Sequence, residues 1–193
     1  MTKPFTKSDT VVSFEVRKAA GTRGLSPIEQ EVMSLFDELR KPLLRYLGSF
    51  MLLPADSEEI VQDTFLALFQ HLRRGKGRHN LKGWLFRVAH NLALRRRRDD
   101  QRDRQSMFPV STQPDDYVVD PGPDPEIQLS DKQTQKTLLA VVDALSDQDR
   151  RCLYLRAEGL RYREIAEILD LSISTVSVSL GRSLARISRA TEG

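Results

Sequence analysis

The sequence of 193 residues holds a single cysteine, Cys152. It therefore forms no internal disulfide, which fits a reducing compartment. Cys152 sits among Leu153, Tyr154 and Leu155, where a helical pattern makes it a buried apolar thiol rather than a nucleophile. The three histidines, His71, His79 and His90, have no cysteine partners at zinc spacing, so neither a metal nor another cofactor is expected. No apolar run approaches the ~20 residues of a membrane span, and the opening MTKPFTKSDT lacks the apolar centre of a signal peptide. A soluble, cytoplasmic chain is expected. Absent too are a glycine-rich phosphate loop, paired catalytic carboxylates and a nucleophile–base set, which argues against an enzyme. A strand pattern is also missing. The alternation TVSVSL at 175–180 has helical flanks.

What is present is unevenly distributed charge. The net charge is only +3, but Arg73 to Arg104 carries twelve Lys or Arg against three Asp. From Gln105 to Asp131 there are six acidic residues and no basic ones. A basic block followed by an acidic, basic-free stretch suggests a nucleic-acid face beside a solvated linker. A solvated charged helix end is the plainer alternative.

Residues 1–26 show no sustained period and read as a flexible extension. From Pro27 the period is helical, with Ile28, Val32, Leu35, Phe36 and Leu39 at three- and four-residue steps. Leu43, Leu44, Leu47 and Phe50 continue it beyond Pro42, where a kink or break is expected near Arg40–Lys41. A second helix begins after Pro54, with Asp56 or Ser57 as its cap, and its apolar stripe runs from Ile60 to Leu72. The segment Arg73–Asn80 (RRGKGRHN) reads as a loop. A third helix, Leu81 to Arg98, turns Trp84, Leu85, Val88, Ala89, Leu92 and Ala93 inward and Arg87, His90, Asn91, Leu94, Arg95 and Arg98 outward. Five prolines and a glycine mark 105–126 as a linker. Helical pattern resumes near Glu126, and Ser146 with Asp149 forms a capping-box signature for the next helix, which ends near Gly159. Shorter helices follow at 162–169 and 173–190. The fold class is all-α, with two small helical domains joined by a flexible acidic linker. The boundaries are 27–104, 105–126 and 127–193.

Two features carry function. In RYREIAEILDLSISTVSVSLGRSLARI, Arg161–Ile187, a short helix leads through a turn at Asp170–Ser172 into a longer one. This is helix-turn-helix spacing, in which the second helix enters the major groove of a duplex. Val176, Leu180, Leu184 and Ile187 are expected inward. Ser174, Val178, Arg182, Ala185 and Arg189 then face outward with Ser177 on the flank, while Arg161, Arg163 and Arg186 suit phosphates. The second feature is the helix 57–72, where Glu59, Gln62, Asp63, Leu66 and Gln70 lie opposite the apolar stripe. A leucine on an acidic face suggests a basic protein partner, although an isolated exposed leucine is common.

Three segments, DSEEIVQDTFLALF (Asp56–Phe69), NLKGWLFRVAHNLAL (Asn80–Leu94) and the helix-turn-helix, closely resemble bacterial sigma factors of the extracytoplasmic-function group, in the sigma-70 superfamily. The resemblance covers about 28–104 and 126–190, in the family's order. It implies that Glu58, Glu59, Gln62, Asp63 and Leu66 meet the clamp helices of core RNA polymerase. It implies a −10 promoter surface of Arg73, Arg74, Lys76, Arg78, Asn80, Lys82, Arg87, His90, Asn91 and Arg95, where a flipped base of the displaced strand is held. The −35 duplex element falls to Arg161, Arg163, Ser174, Thr175, Ser177, Val178, Arg182 and Arg186. An anti-sigma factor is a possible further partner, and the acidic linker would thread near the polymerase active centre. Positions 177 and 179, often Lys and Arg in such sequences, are both Ser here, and Gly181 replaces a larger polar residue. The −35 contact is therefore expected to be weaker, or to lean on DNA shape. A helix-turn-helix regulator acting without polymerase explains the C-terminal half equally well, but not the acidic face of the N-terminal half. A degenerate family member acting as an adaptor is a third possibility.

Overall fold

The computed structural model describes residues 24–106 and 138–191. Every regular element among the described residues is a helix. These are α1 (Pro27–Gly48), α2 (Pro54–Arg73), α3 (Leu81–Ser106), α4 (Asp147–Ala157), α5 (Tyr162–Leu169) and α6 (Ile173–Thr191), with residues 138–143 also helical. No described helix is long and apolar enough to cross a membrane. The N-terminal extension and nearly all of the acidic linker lie outside the described residues.

Helix α1 starts at a reciprocal cap: Ser26 Oγ accepts from the Glu29 amide, and the Glu29 carboxylate accepts from the Ser26 amide. It runs unbroken through Pro42, where the sequence pointed to a kink or break. Leu39, Leu43, Tyr46 and Leu47 are buried on both sides of the proline. At about 1.5–3 kcal/mol per buried side chain, together they outweigh the ~3 kcal/mol cost of an internal proline.

Helix α2 begins at Pro54 with Leu53 in the cap position, so neither Asp56 nor Ser57 caps it. Both are buried in its first turn, and the Asp56 carboxylate pairs with Arg96 of α3 instead. Helix α3 outruns the span read from its apolar stripe by about two turns. Its tail is charged, and Arg96 lies 3.6 Å from Asp100 one turn on, a pairing that supports a solvated helix.

The three N-terminal helices enclose Leu43, Tyr46, Phe50, Val61, Leu68, Leu85 and Phe86. Phe36 meets Phe65 edge-on at 5.0 Å, a favoured aromatic geometry. The C-terminal helices pack around Cys152, Leu155, Ile165, Val176 and Leu180. Burial raises the Cys152 thiol pKa, keeping it protonated and unreactive. Ser146 caps α4 by accepting from the Asp149 amide at 3.1 Å. The return half of the expected box is replaced, because the Asp149 carboxylate accepts from Arg182 at 2.9 Å.

The two halves touch. Helix α3 packs on α5, and α1 on α4.

Candidate DNA- and polymerase-binding surfaces

On α2, Glu59 and Gln62 are exposed, while Glu58, Asp63 and Leu66 are half-buried. Glu58 accepts from Arg40 of α1, and Glu59 stands 4.0 Å from Arg96. The face is acidic with one apolar side chain in its midst, which suits a basic partner that also offers an apolar contact.

Arg73, the last residue of α2, and Arg74, Lys76 and Arg78 of the loop after it are exposed. Gly75 has φ +66, a left-handed turn that side chains rarely adopt. The sequence reading missed His71, which fastens this loop. Its Nε2 lies 2.9 Å from the Gly77 carbonyl, and its ring stands against Trp84 at 4.7 Å. Only the His–Trp spacing across two helices hinted at it. Arg78 reaches Glu31 of α1 at 3.1 Å. Asn80, at φ 51, opens α3 by accepting from the Gly83 amide at 3.1 Å. A Cβ at position 83 would lie 2.5 Å from Asn80 Nδ2, so this cap needs the glycine.

Along α3, Arg87, Asn91 and Arg95 are exposed, as expected for a strand-binding face. His90 is not. It is 5% exposed, and the Tyr46 hydroxyl lies 2.7 Å from its Nδ1. Burial first, and the Arg151 charge second, lower its pKa to about 4. His90 therefore leaves the list of −10 contacts and joins the core. Phe86, absent from the stripe read in the sequence, is fully buried. The inward face is rotated toward Leu85, Phe86, Ala89, His90 and Ala93.

Two other members of the proposed −10 set already have partners in the C-terminal half. Lys82 Nζ donates to the Glu158 carbonyl at 2.7 Å, and Arg87 donates to the Glu167 carbonyl at 2.9 Å.

In the helix-turn-helix, α5 ends on Asp170 in the left-handed conformation, φ 55, tolerated by aspartate better than by most residues. Ser172 then caps α6, accepting from the Thr175 amide at 3.0 Å. Its Oγ also lies 2.7 Å and 2.8 Å from the hydroxyls of Ser174 and Thr175. Ile173, Ser174, Ser177 and Val178 are exposed. Hydroxyls can bond base edges, and apolar side chains can touch thymine methyls. Ile173 was missed by sequence reasoning, although an apolar residue opening a recognition helix is a signal for it. Arg161, Arg163 and Arg186 are exposed. Arg163 lies 3.2 Å from Glu167, and Arg186 lies 3.3 Å from the Ala144 carbonyl.

Two expectations for α6 are corrected. Leu184, expected inward, is 55% exposed. Its inward place is taken by Ser183, which donates to the Ser179 carbonyl. Ser179 is fully buried and accepts from Gln148 Nε2 at 3.0 Å. Its side chain faces α4 rather than solvent. Small residues at 179 and 183 let the two helices approach closely.

Comparison with known proteins follows this division of the chain. Residues 35–103 match the family model for Sigma-70 region 2, and residues 135–187 the model for Sigma-70, region 4. RNA polymerase sigma factor YlaC of Bacillus subtilis is 28% identical over 153 residues, 79% of this chain and 87% of that protein. RNA polymerase sigma factor CnrH of Cupriavidus metallidurans is 28% identical over 145 residues, 72% of this chain and 75% of that protein. In fold, the chain is similar to the sigma factor RpoE of Bartonella quintana, solved in complex with the anti-sigma factor NepR. That match has a TM-score of 0.55 and 23% identity, over 82% of this chain and 97% of that one.

Proposed function

The chain belongs to the sigma-70 family of RNA polymerase sigma factors, in its extracytoplasmic-function group, and on that premise we propose how its surfaces divide the work. Glu58, Glu59, Gln62, Asp63 and Leu66 of α2 bind core polymerase. The loop 73–80, with Lys82, Arg87, Asn91 and Arg95 of α3, holds the displaced strand of the −10 element, where cations offset phosphate repulsion. Ser174, Thr175, Ser177 and Val178 read the −35 duplex. Arg161, Arg163, Arg182 and Arg186 bind its backbone or flank it. Units 27–104 and 127–193 thus take separate elements, joined by the acidic segment 105–126. The work is binding and strand opening rather than catalysis, and the cytoplasm is where polymerase and promoter are found. An anti-sigma factor is a candidate partner, as for the Bartonella protein.

The observation that carries this reading is the match of both sigma-70 regions, in order, on one chain. A regulator acting without polymerase would have no use for the first of them.

Transcription reconstituted from purified core enzyme tests it. Addition of this chain should yield discrete transcripts from a cognate promoter that core alone does not start. Duplex binding without any core association or transcript would overturn the reading in favour of a regulator.

A further inference from the structure

Among the described residues nothing requires the glycine at 181. It stands inside α6 (Ile173–Thr191), where glycine disfavours the folded state by about two- to fivefold relative to alanine. A left-handed backbone would call for it, but the described glycines with positive φ are Gly24, Gly75 and Gly159. Close packing would also call for it, as at Gly83, yet a Cβ at 181 would meet nothing within 4 Å. The close approach that a bare backbone permits is therefore to something outside the chain.

The stripe around Gly181 is small and uncharged. Ser174, Val178, Gly181 and Ala185 follow at steps of four, three and four residues, which sets them on one helix face, and all four are exposed. On the other side Val176, Ser179, Leu180 and Ser183 are buried. From Ile173 to Gly181 there is no Lys, Arg, Asn, Gln, Asp or Glu. The side chains that read guanine or adenine with paired hydrogen bonds are thus missing from this stretch. Arg182 comes next and donates to Asp149 at 2.9 Å. Ser174 Oγ lies 2.7 Å from Ser172 Oγ within the helix cap. What the stripe offers a base pair is the Val178 isopropyl group, 58% exposed. The major-groove feature that an apolar group recognises is the 5-methyl of thymine.

Reach links the two residues. Valine carries its methyls one bond beyond Cβ, and the major groove is about 8.5 Å deep. For Val178 to touch a base edge, the α6 backbone must come nearer the bases than a helix that reads with arginine. A side chain one turn further along the stripe would hold the helix off. Gly181 has none, and Ala185 adds a single carbon.

We propose that Gly181 seats α6 deep in the major groove and that Val178 then selects thymine by contact with its methyl group. The ligand of this helix is a duplex with an A·T pair under its second turn, read without a guanine-binding arginine. The inference rests on the duplex-reading role assigned to α6 above.

The test uses the full chain assembled with core polymerase and a library of random-sequence DNA duplexes, with core alone as control. The winning duplex, with each thymine replaced in turn by uracil, is the probe. At one thymine, loss of the methyl should weaken binding of the parent about fourfold, the effect of one buried methyl. In Val178→Ala the same replacement should have no effect. Gly181→Ala should bind the winning duplex at least fivefold more weakly and yet resist urea better than the parent. Both positions are exposed, so the variants keep their helices, which circular dichroism checks. Uracil without effect at every thymine, or an effect undiminished in Val178→Ala, overturns the methyl contact. Gly181→Ala that binds as tightly as the parent, or that loses stability together with binding, overturns the deep seating. Ser177→Glu sets a carboxylate on the flank of the same face and separates two kinds of failure. If it leaves duplex affinity unchanged, α6 does not enter the groove, and the −35 assignment falls with the inference. If it abolishes binding while uracil and Gly181→Ala are silent, the assignment stands and this inference alone is wrong.

Discussion

Tyr46 and His90 meet across the core with 2.7 Å between the phenol oxygen and Nδ1. Burial raises the tyrosine pKa far above its usual value, so the hydroxyl keeps its proton. Burial first, and the Arg151 charge second, disfavour the imidazolium, so His90 sits in the core as a neutral ring.

A pH dependence follows. The folded-state pKa of His90 is about 4, against about 6.5 in an unfolded chain. Between these values the unfolded chain binds the proton and the folded one does not, so stability falls as pH drops from about 6.5 toward 4. The limiting loss is on the order of 3 kcal/mol. Urea unfolding at pH 7 and pH 5 should show it, and His90→Gln should flatten the difference. An equal pH effect in the variant would place its origin elsewhere.

For the polymerase face, Asp63→Arg with Leu66→Arg should abolish association with core enzyme while leaving the helical circular dichroism spectrum unchanged. Both side chains are only half-buried, so the substitutions can be solvated. Unchanged affinity in gel filtration with core would remove α2 from the interface.

His71 is expected to act by positioning the 73–80 loop. His71→Ala frees the Gly77 carbonyl, and promoter opening seen by permanganate should fall severalfold while duplex binding holds. His71→Gln, which can still donate to that carbonyl, should recover part of the loss. Equal losses in both variants, or a parallel loss of duplex binding, would reduce His71 to packing.

Asn91 and Arg182 separate the two DNA steps. Asn91→Ala should impair opening more than initial binding, and a pre-opened bubble should rescue it at least in part. Arg182→Ala should weaken the closed complex about evenly across sequences and lower the salt slope by about one, as loss of a backbone contact does, and a bubble should not help. Arg182 also holds Asp149, whose carboxyl is raised by burial but drawn below its usual range overall by bonds from Ser179, Arg182 and Ser146. Thermal unfolding must therefore be measured alongside. Equal rescue of both variants would mean a diffuse cationic surface rather than two sites.

Ser179→Arg sorts a surface position from a core one. A guanidinium at this fully buried site overpacks the α4–α6 contact and buries a charge, so a loss above about 2 kcal/mol is expected. Denaturant midpoints should drop sharply. A stable variant with tighter duplex binding would show that position 179 faces DNA.

Helix type and order were legible because apolar spacing repeats over many residues. The stripe of α2, the Ser146 cap and the Asp170 turn each follow from local chemistry, and each is found where the pattern put it. The candidate surfaces were legible only where a side chain has no alternative to solvent. Arg74 and Lys76 sit on a glycine-containing loop, Arg73 ends the helix before it, and all three are exposed. His90, Leu184 and Ser179 were misread because helical periodicity gives a face to within one residue's rotation, about 100°, and no more. Whether a polar residue at the margin turns inward depends on a partner from another helix, and Tyr46 and Gln148 are such partners. Local pattern alone thus determined the helical segments and the glycine-containing basic loop among the described residues. The contact between the halves is different. Arg45 and Glu158 are 113 residues apart, and Lys82 meets a carbonyl 76 residues away. No periodic signal reports such pairs, since they exist only once the two halves of the chain come together. That step belongs to the tertiary structure, because long-range electrostatic pairing depends on distance in space and not on spacing along the chain.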